Sequence, residues 1–472
     1  MTIYFILTIF LITAMLLIRN RRLVSIFIVL FLGIQLTLSV FSFREIQATQ
    51  LLFFTFDPLG VIFLNLLSLL SLTTVFHGFK NLKSDSTRRF QYYHAALTGL
   101  IASLSGALLS NNITLTWVFV EATTLTASVL IYHEKNKLTL EAAWKYVFVC
   151  SVGIAMAYMG ILFLGLALKG NEGVDMSFNG ISRIISSSDP VYLKVAFLFI
   201  LVGYGTKMEL FPMHTAGVDA NSVAHPQIGA FISTAMVNLG FVAFFRIFIQ
   251  LSTTSIQIWM SHVLLLTGIL SILVAAGYML KARHAKRMLA YSTLEIMGMV
   301  AIGLGIGGTG LYAAILILIV HSLVKSSLFY QLSQVFRIYH SYMIKEIGHY
   351  FQHNATGSLV LLTGLISILA IPPSGLFLPE FMIFKAMASS GQWMLLLLVF
   401  ILLCFIVYAM STRMLHMLYS GPVEGMREIK TVKTDPSEIF IQLMMLLAAM
   451  TLCFYQPGFL KQLIWQAVQI IY

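Results

Sequence analysis

The chain has 472 residues, 59% hydrophobic and only 10% charged, with a formal net charge of +11. A soluble domain carries roughly 25% charged residues, so this composition excludes an ordinary soluble enzyme and points to an all-α polytopic membrane protein. The short alternating segments of a β-barrel are absent, and the basic residues fall between apolar runs, where the positive-inside rule explains them without nucleic acid.

Apolar runs bounded by breakers predict about fourteen spans, near 2–19, 22–42, 57–79, 93–110, 112–132, 140–168, 191–218, 222–251, 256–281, 287–307, 309–337, 356–390, 392–419 and 437–456. Each is long enough for a hydrocarbon core of about 30 Å. The first twenty residues have no basic leader and no small-residue cleavage site, so they read as a retained helix. Spans 7 and 12 are overlong and contain prolines, which predicts broken helices. No loop is long enough for a soluble domain, so residues 1–472 read as a single transmembrane domain. Its parts are helices 1–3 (about 1–80), a first half (about 93–251), a second half (about 256–390) and C-terminal helices (about 392–472).

Loop charge sets the orientation. Loops after odd spans hold nineteen Lys and Arg: Arg19, Arg21, Arg22, Lys80, Lys83, Arg88, Arg89, Lys135, Lys137, Lys281, Arg283, Lys286, Arg287, Arg337, Lys345, Arg413, Arg427, Lys430 and Lys433. Loops after even spans hold four, Arg44, Lys169, Arg183 and Lys194. The asymmetry predicts a multi-pass protein of the cytoplasmic membrane with both termini on the outer side.

The remaining ionisable groups fall inside spans, where each costs at least ~2.5–3.5 kcal/mol. In chain order, Glu121 lies mid-span 5 beside Thr123, Thr124, Thr126 and Ser128, and reads as a functional carboxylate or as half of a structural ion pair. Glu141 and Lys145 are one turn apart at the start of span 6, and a helix-end ion pair is the simpler reading. Lys207 is the strongest candidate, because a desolvated lysine can lose its proton and a nearby carboxylate can restore the charge. Pro212 follows it and frees backbone groups for water. Glu209, two residues on, faces another side and reads as a local polar contact. Arg246, near the end of span 8, reads as snorkelling, and His262 as interfacial.

Glu295 in span 10 reads equally well as structural or functional. His321 and Lys325 share one face of span 11 with serines around them, as a wet stripe or as helix–helix glue. Glu380 follows the second break, IPPSGLFLPE (371–380), with Lys385 as its partner or as a snorkelling side chain. The three cysteines, Cys150, Cys404 and Cys453, show no CxxC, iron–sulfur or haem spacing, so no redox centre and no structural metal are expected in this chain.

Six segments carry a family resemblance: WVFVEATTLTASVLIY (117–132), WKYVFVCSVGIAMAYMG (144–160), GYGTKMELFPMHTAGVDANS (203–222), KRMLAYSTLEIMGM (286–299), HSLVKSSLFY (321–330) and IPPSGLFLPEFMIFKA (371–386). In this order they resemble the antiporter-like proton-translocating membrane subunits of complex I and of group 4, hydrogenase-4-type hydrogenases, with Mrp antiporter subunits as more distant relatives. The resemblance implies fourteen helices with two inverted five-helix repeats, broken at helices 7 and 12. It implies that Glu121 pairs with Lys207, that Lys325 with His321 forms a central relay, and that Glu380 ends the second half-channel. Glu295, Lys385, Glu141, Lys145 and Glu209 are secondary candidates.

The implied function is proton translocation, with Na⁺ as an alternative coupled ion, inside a membrane-bound hydrogenase or quinone oxidoreductase. Partner membrane subunits and a peripheral arm would carry the redox chemistry on iron–sulfur clusters with nickel or flavin. An Mrp-like antiporter subunit, an ion-coupling partner of a non-redox enzyme and a non-conducting scaffold are the alternatives. The sequence departs from the family pattern at Ala216, Gly217 and Val218, at Asn221, at HPQIGA (225–230), at Ser233, where many relatives carry lysine or histidine, and at Ile296. No long lateral helix is expected after span 14.

Overall fold

A computed structural model of the chain describes residues 1–46, 53–168, 176–182, 185, 188–421 and 435–469. Lys169, Arg183, Arg427, Lys430 and Lys433 of the loop-charge asymmetry lie outside the described residues. The described residues are almost wholly helical and contain no strand, only isolated bridges such as Phe54–Ser110 and His284–Met343.

The helices in chain order are α1 (Thr2–Leu17), α2 (Arg21–Arg44), α3 (Pro58–Asn81), α4 (Thr87–Leu109), α5 (Ile113–Ile131), α6 (Lys137–Ala167), α7 (Phe178–Ser182), α8 (Pro190–Gly205), α9 (Thr215–Val223) and α10 (Pro226–Phe231). A π-helical turn, Ile232–Met236, leads into α11 (Val237–Leu251). Then come α12 (Gln257–Met279), α13 (Ala285–Ile306), α14 (Thr309–Tyr339), α15 (Tyr350–His353), α16 (Ala355–Ile368), α17 (Phe377–Ser389), α18 (Trp393–Tyr419), α19 (Pro436–Phe454) and α20 (Gly458–Val468). Eleven described helices are long and apolar enough to cross a membrane, and Thr2–Leu17, Pro190–Gly205 and Ala355–Ile368 are shorter apolar helices. The expected spans 7 and 12 are thus split, into α8 with α9 and α16 with α17, and α20 is an element the hydropathy reading did not separate.

Side-chain caps start many of these helices. Asn112 accepts from the N–H groups of Thr114 and Leu115 at α5, and Asn136 with Thr139 closes a capping box at α6. Asp189 and Asp435 cap α8 and α19, each followed by proline at the first helical position.

The chain divides into two compact units: Met1–Ala224 with Ala235–Met260 and Lys461–Tyr472, and His225–Thr234 with Ser261–Leu460. The same succession of elements occurs twice. Helices of 23, 19 and 31 residues, α4 to α6, precede the α8–α9 break. Helices of 23, 22 and 31 residues, α12 to α14, precede the α16–α17 break.

The two breaks share a local geometry. Glu209 and Ala370 have φ of 55° and 50°, and a cis proline, Pro212 and Pro373, stands three residues after each. The Leu210 N–H reaches back to Gly205 O at 2.9 Å, and the Ile371 N–H to Ile366 O at 3.1 Å. This six-to-one closure is the Schellman helix ending, whose left-handed residue is usually glycine. A side chain there costs roughly 1–2 kcal/mol, so both breaks hold a residue against its backbone preference.

Within the first unit, α6 and α8 approach closely through small residues. A Cβ on Gly160 would meet Ile200 Cγ1 at 2.6 Å, and one on Gly203 would meet Ala157 Cβ at 2.5 Å. Such contacts let helix backbones approach in the absence of a hydrophobic driving force between helices in lipid. They set the end of α8, and Lys207 just beyond it, beside the α6 face that carries Tyr146.

Candidate functional site

The first cluster lies in the first unit. Lys207 is 3% exposed and sits in the turn after α8. Its Nζ donates to Thr124 Oγ1 at 2.9 Å and to Tyr146 OH at 3.4 Å, and lies 5.1 Å from the Tyr146 ring centroid. Glu121, one turn before Thr124 on α5, accepts from Ser151 Oγ of α6 at 2.8 Å and from Thr124 Oγ1 at 3.4 Å. The Thr124 hydroxyl therefore stands between the lysine and the carboxylate. A hydroxyl can accept and donate at once, so one concerted shift through it would move a proton from Lys207 to Glu121.

Gly240 of α11 leaves room for this lysine, because a Cβ there would meet Lys207 Cβ at 2.8 Å. Glu209 is buried and accepts from Asn221 Nδ2 at 3.0 Å. Glu141 and Lys145 form an exposed i,i+4 pair at 2.6 Å, and Lys145 also lies 4.0 Å from Asp219.

Arg246 does not snorkel. It is 2% exposed, and its Nη2 donates to Asp57 Oδ1 at 2.5 Å and to Leu108 O at 2.5 Å. Its Nη1 donates to Ala107 O at 3.3 Å and Ser110 O at 3.1 Å. The guanidinium thus occupies the C-terminal end of α4, where orphan carbonyls and the helix dipole favour a cation. Its position near a helix end suggests the interface, but its Nη1 and Nη2 donors match this carbonyl and carboxylate set.

The second cluster lies in the second unit. Lys325 is fully buried on α14, and its Nζ hydrogen-bonds Leu289 O and Ser292 Oγ of α13. Glu295 continues that α13 face one turn on, and Glu380 stands in the first turn of α17. Glu295 and Glu380 are 4% and 6% exposed. His321 lies one turn before Lys325, fully buried, and neither ring nitrogen has a hydrogen-bond partner among the described residues. Lys385 is exposed and makes no ion pair with Glu380, and His262 is exposed. Ser233 is buried and bonds back to Gly229 O at 2.8 Å within its own helix. Among the described residues no group of three or more His, Cys, Asp or Glu could hold a metal ion, and the three cysteines are free thiols.

Residues 110–406 match the NADH:quinone oxidoreductase/Mrp antiporter transmembrane family. The chain belongs to this family. It is 30% identical over 344 residues, 71% of this chain and 72% of the relative, to a hydrogenase-4 component F homolog of Methylacidiphilum infernorum. Its fold is similar to that of a chain of the archaeal membrane-bound sulfane sulfur reductase, a respiratory membrane complex (TM-score 0.85, 19% identity, 100% of this chain and 96% of that one). It is also similar to a chain of respiratory complex I from Thermus thermophilus (TM-score 0.79, 20% identity, 96% of each). These likenesses support the all-helical antiporter-like fold and a multi-pass membrane protein.

The family motifs cover both clusters but not all their contacts. The hydroxyls of Ser151 and Ser292 and the Tyr146 phenol were not singled out by charge-based reading, because uncharged groups cost little in a span and leave no mark on hydropathy. Asp57 stands at the first position of span 3 and was not among the candidates; its side chain makes no cap hydrogen bond to α3 and turns to Arg246 instead.

Proposed function

We propose that this chain is a proton-translocating subunit of a membrane-bound redox complex of the hydrogenase-4 or complex I type, in the cytoplasmic membrane with both termini outside. Partner chains of a peripheral arm carry the electron transfer, on iron–sulfur clusters with nickel or flavin. One observation carries the reading: Lys207 and Glu121 are held on opposite sides of one hydroxyl, next to a broken helix. A buried lysine in this setting stores a proton whose release is governed by the distance and charge of Glu121.

In the second unit Lys325, held by Ser292 and the Leu289 carbonyl, stores the next proton, and Glu295 and Glu380 receive it. His321, one turn before Lys325, would exchange the proton of Lys325 through a bridging group, since one nitrogen of a neutral imidazole donates and the other accepts. Redox events in the partners would shift the Lys207–Glu121 equilibrium and so drive the cycle.

The test is Lys207→Ala in the purified complex reconstituted into vesicles. Proton transport is expected to be lost while partner redox turnover is partly kept. Unchanged transport would overturn the reading. Co-purifying chains decide the kind of complex, with hydrogenase or quinone-oxidoreductase subunits expected.

A further inference from the structure

A third polar cluster lies in the second unit, and neither site above uses it. Gln331, Gln334 and Arg337 follow one face of α14 at successive turns. Arg337 pairs with Glu438 of α19, and Gln334 Nε2 donates to the same carboxylate oxygen at 3.1 Å. Asn354 Nδ2 bridges Gln334 Oε1 at 3.0 Å and Tyr350 OH at 2.9 Å, and Gln331 Nε2 donates to Tyr350 OH at 2.6 Å. Glu438 is 1% exposed, whereas the Arg337 side chain is 34% exposed. The cluster therefore runs from the protein surface inward along α14.

A simple structural ion pair would need only Arg337 and Glu438. Here the polar groups continue past it, in a bundle where each unsatisfied buried group costs several kcal/mol. They also leave acceptors over. Glu438 Oε1 and Gln331 Oε1 are buried without a hydrogen-bond partner among the described residues, as is Ser358 Oγ on α16. Ser358 follows Gly357, where a Cβ would collide with the Gln331 amide. Buried acceptors of this kind are satisfied by ordered water with two to four polar partners. Lys325 lies six residues before Gln331 on the same helix, about 9 Å along its axis.

We infer that Glu438 is a proton-exchange site of the second unit, linked inward by internal water held at Gln331 and Ser358. A hydronium ion at the Arg337 end gives its proton to the Glu438 carboxylate, leaving water and a neutral acid. The acid then passes that proton to the internal water and returns to the carboxylate, which Arg337 and Gln334 hold in place. The site rests on the proton-translocating reading of the chain and extends it to a residue outside both lysine clusters.

The experiment compares Glu438→Gln, Glu438→Asp and Gln331→Leu in the purified complex, with proton transport in vesicles, partner redox turnover and thermal midpoint read on each. Glu438→Gln keeps hydrogen-bonding capacity but cannot titrate, and is expected to lower transport at least fivefold with redox turnover retained. Glu438→Asp is expected to recover most of that loss. Transport by Glu438→Gln at the native rate, whatever its thermal midpoint, overturns the proposal and leaves Glu438 a structural anchor. If Glu438→Gln fails to assemble, Gln331→Leu decides, because it leaves the Arg337 pair untouched. A severalfold slower rate supports the water link, and a native rate overturns it. Lys207→Ala, run in parallel, reports on proton translocation itself and separates failure of that reading from failure of this one.

Discussion

Lys207 and Glu121 do not touch: the Thr124 hydroxyl accepts from the lysine at 2.9 Å and donates to the carboxylate at 3.4 Å. Each charge also has its own second partner, Tyr146 for the lysine and Ser151 for the glutamate. The pair is therefore coupled through a bond that a single substitution can remove while both charges stay. A hydrogen bond to a charged group is worth about 1.5–3 kcal/mol. Thr124→Val, close in shape but without the hydroxyl, is expected to slow proton transport by roughly ten- to a hundredfold, while Thr124→Ser stays near the native rate. Equal rates for the two variants, measured in vesicles, would show that the hydroxyl is no relay.

Arg246 and Asp57 predict a different outcome, on stability. Both side chains are buried, and the arginine also holds three carbonyls at the end of α4. Removing one partner of a buried ion pair leaves an uncompensated charge and costs about 3–5 kcal/mol. Arg246→Met is expected to lower the thermal midpoint of the detergent-solubilised protein sharply. Adding Asp57→Asn should recover part of the loss, because the stranded carboxylate is then gone. A native-like midpoint for Arg246→Met would mean that the clamp contributes nothing.

The two lysine clusters were legible because a charge in an apolar run has few explanations, and the two breaks because proline cannot continue a helix. What hydropathy does not carry is the identity of the partner. Arg246 and Asp57 are 189 residues apart, and each alone has an ordinary local reading, as a snorkelling arginine and a helix cap. Thr124 was visible as one of several threonines, but nothing in the spacing chooses it as the bridge. Glu438 lies in the first turn of α19, two residues after Pro436, where a carboxylate is expected on dipole grounds alone. Only packing against α14 shows that it is buried. The repeated helix endings at Glu209 and Ala370 escaped for another reason: a left-handed backbone normally announces itself by glycine, and neither position has one.

His284 gives a pH dependence with a definite sign. It precedes α13, and its Nδ1 accepts from the Arg287 N–H at 3.4 Å as a helix cap. Burial, with the adjacent Lys286 and Arg287 charges, pushes the imidazole down from 6.5 to about 4. Protonation would turn the accepting nitrogen into a donor and add a cation beside two others. Between about pH 4 and 6.5 the unfolded chain binds this proton and the folded chain does not, so stability rises with pH across that window. The contribution is complete above about pH 6.5 and is lost progressively as pH falls toward 4. His284→Asn keeps an N-cap acceptor but does not titrate. The drop in thermal midpoint between about pH 7.5 and pH 5 is therefore expected to be smaller in this variant than in the native protein. An equal drop in both would place the acid sensitivity elsewhere and remove His284 from the account.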